Sequence, residues 1–389
     1  MNPFQMKRYF RRRKAHLPMS PSSPFDQATS RLPLHQLRNL GLLLVFILLL
    51  TWAVSAGQPG FMPQPKPESQ TIVKPSNPDR SVPPKSVAPQ RSAAGRRGIY
   101  LTAATVADPK RVEGLISHML RANLNAVVID MKEMGGQVVY DSHVPLAQAI
   151  GARTLTLPLA ELLGRFHRAG IYTIARQVVF YDPLLASHLK SAQAPWVSPL
   201  DARVVQYNLA IARELAISGF DELQFDYLRF PDGDGLGGDY EGRYRAITRF
   251  LQLAQQQLSG LANLSVDVFG RTLWDWNMKK IDPIGQNLEE MSHFVDLISP
   301  MVYPSHYETT DFRDHPYETI RQSLANGLKR HLAMRPYLQA FDLRLPSDMT
   351  LVEYIRAELR AVHELGFDSY LFWNPSSDYE ALWQALGNS

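Results

Sequence analysis

From Gly98 to the C-terminus, short apolar runs alternate with amphipathic segments, and this rhythm limits the fold more than any other feature of the chain. Strands are expected at 98–102, 125–131, 171–180, 222–230, 264–270, 295–303, 335–341 and 369–374. Helices are expected between and after them at 109–122, 158–169, 204–218, 240–258, 283–294, 317–332, 349–365 and 378–386. Eight strands alternating with eight helices over residues 98–389 is the count of a (β/α)8 TIM barrel, an α/β fold. A doubly wound open sheet is the competitor. It rarely needs eight evenly spaced units, and no Gly-x-Gly-x-x-Gly loop follows the first strand.

The residues before this domain differ in kind. Residues 1–39 carry eight Lys or Arg against Asp26 alone, and residues 40–56 (LGLLLVFILLLTWAVSA) carry no charge. An uncharged apolar run of this length, with its basic flank wholly on the N-terminal side, reads as a transmembrane helix that leaves residues 1–39 in the cytoplasm. Val54-Ser55-Ala56 offers small residues to a signal peptidase, but the long segment before the apolar core favours an uncleaved signal anchor. Residues 57–97 are rich in Pro, Ser, Lys and Gln and bury too little apolar area to fold alone, so they are expected to be a partly extended linker. The barrel domain is then exported, periplasmic or extracellular, and is secreted if the leader is cleaved.

Charge follows the same division. The net charge of +4 is +7 from residues 1–39 and +5 from residues 57–97, which leaves −8 for residues 98–389. An acidic folded domain argues against a nucleic-acid partner. The absence of cysteine excludes disulfides, thiolate catalysis and Cys-ligated metals.

Active-site groups of such a barrel lie at the C-terminal ends of its strands. The fourth expected strand is the most informative: Glu222-Leu223-Gln224-Phe225-Asp226 places Gln224 and Asp226 on one face and ends in charge. A carboxylate embedded there is costly unless paired, hydrogen-bonded or chemically used. Its structural alternative is a loop cap bonded to Arg229 or to backbone amides. The other strand ends supply Asp130, Lys132 and Glu133, then Arg176, then Asp267, then Tyr303, His306 and Tyr307, then Gln339 and Asp342, and finally Trp373 and Asn374. Aromatic platforms with acids and amides suit a sugar, whose ring faces stack and whose hydroxyls need polar partners.

Glycoside hydrolysis needs two carboxyl groups flanking the bond, one protonated and one ionised. Asp226 and Asp267 lie on consecutive strands and are the first choice, with Glu308 and Glu133 as alternative acids. For Asp267 the competing reading is a buried ion pair with Arg229 or Arg271. Substrate contacts are expected from Asp130, Lys132, Arg176, Arg229, Tyr303, His306, Tyr307, Gln339, Trp373 and Asn374. No His-x-His or His-Glu-x-x-His pattern appears, so neither metal nor cofactor is expected. There is no Gly-x-Ser-x-Gly elbow for a serine esterase. Asp232-Gly233-Asp234-Gly235 lacks the glutamate an EF-hand needs and reads as a loop over the pocket.

Several longer motifs carry a resemblance. They are Asn125-Ala-Val-Val-Ile-Asp130, Gly219-Phe-Asp-Glu-Leu-Gln-Phe-Asp-Tyr-Leu-Arg-Phe-Pro231 and Asp267-Val-Phe-Gly270, followed by Ile284-Gly-Gln286, Ser299-Pro-Met-Val-Tyr-Pro-Ser-His-Tyr307 and Phe372-Trp-Asn374. In this order they make the chain from about Arg97 to Trp383 resemble the putative glycoside hydrolase family with a TIM-barrel domain, long catalogued as a domain of unknown function. The resemblance implies a barrel and a glycosidase. The run after the second strand departs from the family, with Met134 where an acid is usual. Gln224 and Leu228 stand where a chitinase would carry Asp and Glu, so chitinase chemistry is not implied.

The expectation is therefore a membrane-anchored barrel that hydrolyses an envelope or extracellular polysaccharide by two-carboxylate acid/base catalysis. The alternative is a barrel that binds envelope glycan without cleaving it.

Overall fold

The computed structural model describes residues 91–232, 239–307 and 310–387. The basic residues 1–39, the apolar run 40–56, most of the expected linker, the loop residues Gly233 to Gly235 and Glu308 lie outside the described residues.

Among the described residues ten strands form one sheet. In chain order they are β1 (Arg97–Leu101), β2 (Ala126–Lys132), β3 (Val138–Tyr140), β4 (Arg153–Leu157), β5 (Tyr172–Val178), β6 (Glu222–Asp226), β7 (Asn263–Phe269), β8 (Leu297–Met301), β9 (Tyr337–Gln339) and β10 (Tyr370–Trp373). Eight of them are parallel neighbours in the order β1, β2, β5, β6, β7, β8, β9, β10, and β1 pairs with both β2 and β10, which closes the barrel. Each expected strand lies within this ring. β3 and β4 were not expected: they hang from β2, with β3 antiparallel to it, outside the barrel. Their pairing is short and their apolar pattern brief, too little to register as periodicity.

Gly98 sits where the ring closes. A Cβ there would come within 2.1 Å of the Ala126 carbonyl oxygen, so this crossing of β1 over β2 admits only glycine.

The inside of the barrel is filled by Tyr100, Val128, Tyr172, Ile174, Tyr303, Tyr337 and Leu371, while the larger core lies between the strands and the helices outside. Helix Tyr240–Leu258 shows how the outer layer is held. Tyr244, Ile247, Phe250, Leu251, Ala254 and Leu258 are buried at helical spacing, and Phe250 packs edge-on against Phe180 and Phe225, each at 5.3 Å.

At the floor of the barrel Glu222 bonds Arg335, Ser265 and Tyr172, and both Glu222 and Arg335 are fully buried. The end of the expected linker docks beneath this layer rather than staying extended. Arg91 pairs with Asp221 at 3.1 Å and donates to the carbonyls of Gly170 and Ile171. Arg96 lies over the Tyr172 ring at 4.6 Å. Arg91 and Arg96, from the end of the expected linker, are thus packed against the barrel.

Two elements are shorter than their periodicity suggests. β6 stops at Asp226 because Tyr227 turns left-handed, with φ 52°. The helix expected over 283–294 shrinks to Leu288–Ser292, capped by Asn287, because Gly285 at φ 78° keeps the preceding residues in a loop. That loop brings Gln286 beneath the site, where its Nε2 donates to the backbone carbonyls of Leu228 and Asp267.

Candidate active site

The C-terminal ends of β2, β5, β6 and β7 bring Asp130, Arg176, Asp226 and Asp267 together, all nearly buried. Arg176 joins two of the acids. Its Nη1 donates to Asp130 Oδ1 at 2.5 Å, and its Nε and Nη2 donate to Asp226 Oδ2 at 3.0 and 2.5 Å. Burial opposes charge on this guanidinium, but Asp130 and Asp226 outweigh it and hold its pKa well above the ordinary value. Asp130 also accepts the Tyr100 hydroxyl at 2.5 Å, and Asp226 Oδ1 accepts the Tyr227 amide at 2.6 Å.

Asp267 has different surroundings. The register of β6 and β7 aligns Phe225 with Val266, so the next position sets Asp226 beside Asp267 on strands ~4.8 Å apart. Its Oδ1 is buried and has no hydrogen-bond partner among the described residues. Burial, and then the charge of Asp226, push the Asp267 carboxyl well above the usual carboxylate range, against the opposing pull of Arg176. The expected alternative of an ion pair is not formed. Arg271 is engaged by Asp232 at 2.9 Å and Asp282 at 3.1 Å, and Arg229 makes no ion pair among the described residues. Two neighbouring carboxyl groups therefore meet opposite conditions: Asp226 is salt-bridged, while Asp267 is unpaired and favours its proton.

Tyr303 faces the same two acids. Its hydroxyl is buried without a partner, and burial, Asp267 and Asp226 all raise its pKa, so it stays protonated as a donor. Glu133 is half-buried. Burial first, and then Asp130, raise its pKa too, but it carries the mark of Asp130 and not of Asp226.

Aromatic walls flank these groups. On the β8–β1 side Trp373 stacks on Tyr100 at 3.7 Å, and Arg176 lies over Trp373 at 5.0 Å. Beside them opens a cleft of about 500 Å³ lined by Tyr303, His306, Phe341, Asp342, Trp373 and Asn374. On the β5–β7 side Tyr181, Trp196 and Tyr227 gather within 5.1–5.9 Å of one another, and Arg229 lies over Trp196, Tyr227 and Phe269.

Several residues expected to touch substrate are engaged elsewhere. Lys132 is fully buried, bridges to Asp182 at 2.8 Å and donates to the Val178 carbonyl. Alternation would put it on the face of Asp130, but the register with β5 shifts between these two residues and turns Lys132 outward. Gln339 is also fully buried: its amide donates to the carbonyls of Phe341 and Leu343, and its Oε1 accepts from Ser305 N and the Tyr354 hydroxyl. Tyr307 turns to Ser323, with its hydroxyl 2.9 Å from the serine oxygen. Asn374 lines the cleft, yet its side chain bonds the Ala340 carbonyl and the amides of Ser376 and Asp378, as a loop cap does. Asp130, Arg176, Tyr303, His306 and Trp373 stay at the site, and Arg229 stands beside it. Sequence reasoning missed Tyr100, whose place two residues after Gly98 on an inward face was a usable signal. It also missed Trp196, which a loop delivers and which no local pattern announces. Among the described residues no cluster of His, Asp and Glu could hold a metal ion.

No curated protein matches the chain. Among solved structures, a hypothetical protein from Ruminiclostridium thermocellum ATCC 27405 is 32% identical over 44% of this chain and 97% of its own, with a TM-score of 0.40. The PgaB (BpsB) glycoside hydrolase domain from Bordetella bronchiseptica is 18% identical over 75% of this chain and 98% of its own, with a TM-score of 0.57. The hyperthermostable endo-1,4-beta-D-mannanase from Thermotoga petrophila RKU-1 is 9% identical over 72% of this chain and 87% of its own, with a TM-score of 0.52. At such identities the last two share the fold with this chain. A family model described as a putative glycosyl hydrolase domain matches residues 98–379, from inside β1 to the start of the last helix. With most of its length covered by that match, this chain belongs to the putative glycosyl hydrolase domain family.

Proposed function

We propose that the barrel hydrolyses glycosidic bonds of a polysaccharide, with Asp226 as nucleophile and Asp267 as acid and then base. The observation that carries this reading is the pair itself, two carboxyl groups in adjacent register with opposite surroundings. Asp267 gives its proton to the glycosidic oxygen as the bond to the anomeric carbon breaks, and Asp226 bonds that carbon. Water then attacks the glycosyl-enzyme, its proton passing to Asp267, and Asp226 is released. This retaining course needs carboxyl groups about 5–5.5 Å apart, a separation that side chains on adjacent strands can reach. Trp373, backed by the buried Tyr100 ring, lines the cleft and offers a ring to a bound sugar.

The test incubates the full-length protein and its Asp226→Asn variant with a panel of envelope and biofilm polysaccharides, reading new reducing ends. The expected loss is about 10²–10⁴-fold. If wild type releases no sugar yet retains a glycan that the variant also retains, the barrel is a binding module instead. The proposal extends to location: residues 40–56, following a basic flank, anchor the chain in the cytoplasmic membrane with the barrel on the outer side. Protease added to intact cells would then digest the barrel while leaving residues 1–39 protected.

A further inference from the structure

Arg229 is a cation without a direct salt bridge among the described residues. Its one hydrogen bond there goes from Nη1 to the Phe230 carbonyl at 3.2 Å. A guanidinium has five N–H groups. The residue is half-buried, so part of its side chain remains open to solvent. Ring faces hold it in place, with Trp196 at 4.7 Å, Tyr227 at 5.2 Å and Phe269 at 4.6 Å. Burial lowers its pKa, Asp226, Tyr227 and Asp232 oppose this from positions where none is salt-bridged to it, and the neighbouring Arg271 lowers it a little further. Arg271 lies over Phe269 too, at 4.5 Å, but it is neutralised by Asp232 and Asp282. The contrast matters. A half-buried guanidinium stacked in an aromatic corner, with no salt bridge of its own beside a sugar-cleaving site, is poised for a ligand that brings a hydrogen-bonded counter-ion.

We propose that the corner formed by Arg229, Trp196 and Tyr227 is a subsite for a sugar ring bearing a carboxylate, and that the substrate is therefore an acidic polysaccharide. The planar fork of Arg229 matches a carboxylate in a bidentate pair, and Trp196 with Tyr227 supplies ring faces for the sugar. Tyr227 directly follows Asp226, so a ring seated here lies one step from the bond to be cleaved. A neutral sugar hydroxyl would use the same N–H groups but would form no ion pair with the guanidinium. The inference rests on the glycosidase reading for its context, and its test reads binding, so the two fail separately.

The experiment measures retention of the full-length Asp226→Asn protein, in which cleavage cannot remove the ligand, on a panel of polyuronates. Each polymer is paired with its own carboxyl-reduced form, which keeps the rings and linkages and loses the charge. At least about tenfold tighter binding to the acidic member of one pair is expected, as is usual for hydrogen bonds to a charged group. Adding Arg229→Gln should erase the preference without abolishing binding to the neutral form. Arg229→Lys keeps a cation over the rings but not the fork, and should restore part of it, with thermal melting confirming that each variant is folded. Equal binding to both members of every pair, no binding to any polyuronate, or a preference that survives Arg229→Gln would overturn the proposal.

Discussion

Asp226 and Asp267 are the same residue type on adjacent strands, and what separates them is their neighbours. Arg176 gives Asp226 two hydrogen bonds and Asp267 none. A raised pKa in the folded state means that the native protein binds this proton more tightly than the unfolded chain does. Stability then falls as pH climbs from the ordinary carboxylate range toward the folded value of Asp267. Asp267→Asn should therefore raise the melting temperature at neutral pH by a few degrees and flatten its decline with rising pH. The same variant should lose about 10²–10⁴-fold in activity, and the wild-type alkaline limb of the pH–rate profile should belong to Asp267. A melting curve whose pH dependence is unchanged by Asp267→Asn would show that its proton is not held in this way. The presence of both carboxyls could be read from strand-end chemistry alone. Their division of labour could not, because Arg176 lies 50 residues from Asp226.

At the scale of elements, the strands and helices were legible because burial on one side imposes a period, and the misreadings fall where the backbone leaves that period. The slip between Asp130 and Lys132 is one such place. A lysine two residues after a site aspartate reads as a site lysine, and one shifted pairing sends it outward to Asp182. Removing one partner of a buried pair leaves the other uncompensated. Lys132→Met is thus expected to cost about 3–5 kcal/mol of stability while changing neither KM nor the pH profile of the folded fraction, as chemical denaturation and kinetics would show. The left-handed Tyr227 is a second such place. It ends β6 early and carries its ring to Tyr181 and Trp196, a position the apparent strand 222–230 would not have given it.

At the scale of the whole molecule, the ring closes at one crossing. Gly98→Ala places a methyl group against the backbone of Ala126, which cannot yield as a side chain can, so β1 and β2 must part. The expected cost is about 3 kcal/mol or more, with a lower melting temperature and early loss of hydrogen-exchange protection in both strands. Unchanged protection would mean that the barrel closes elsewhere. By itself the sequence determined the architecture and the list of acids, because alternation and strand-end chemistry are local patterns repeated along the chain. The tertiary structure decided which of those groups meet. Only the register in which β6 pairs with β7 sets Asp226 beside Asp267, and only folded loops bring Trp196 over Arg229. Lys132 and Gln339 are likewise used up by partners distant in sequence, Asp182 and the Tyr354 hydroxyl, and no local pattern records such encounters.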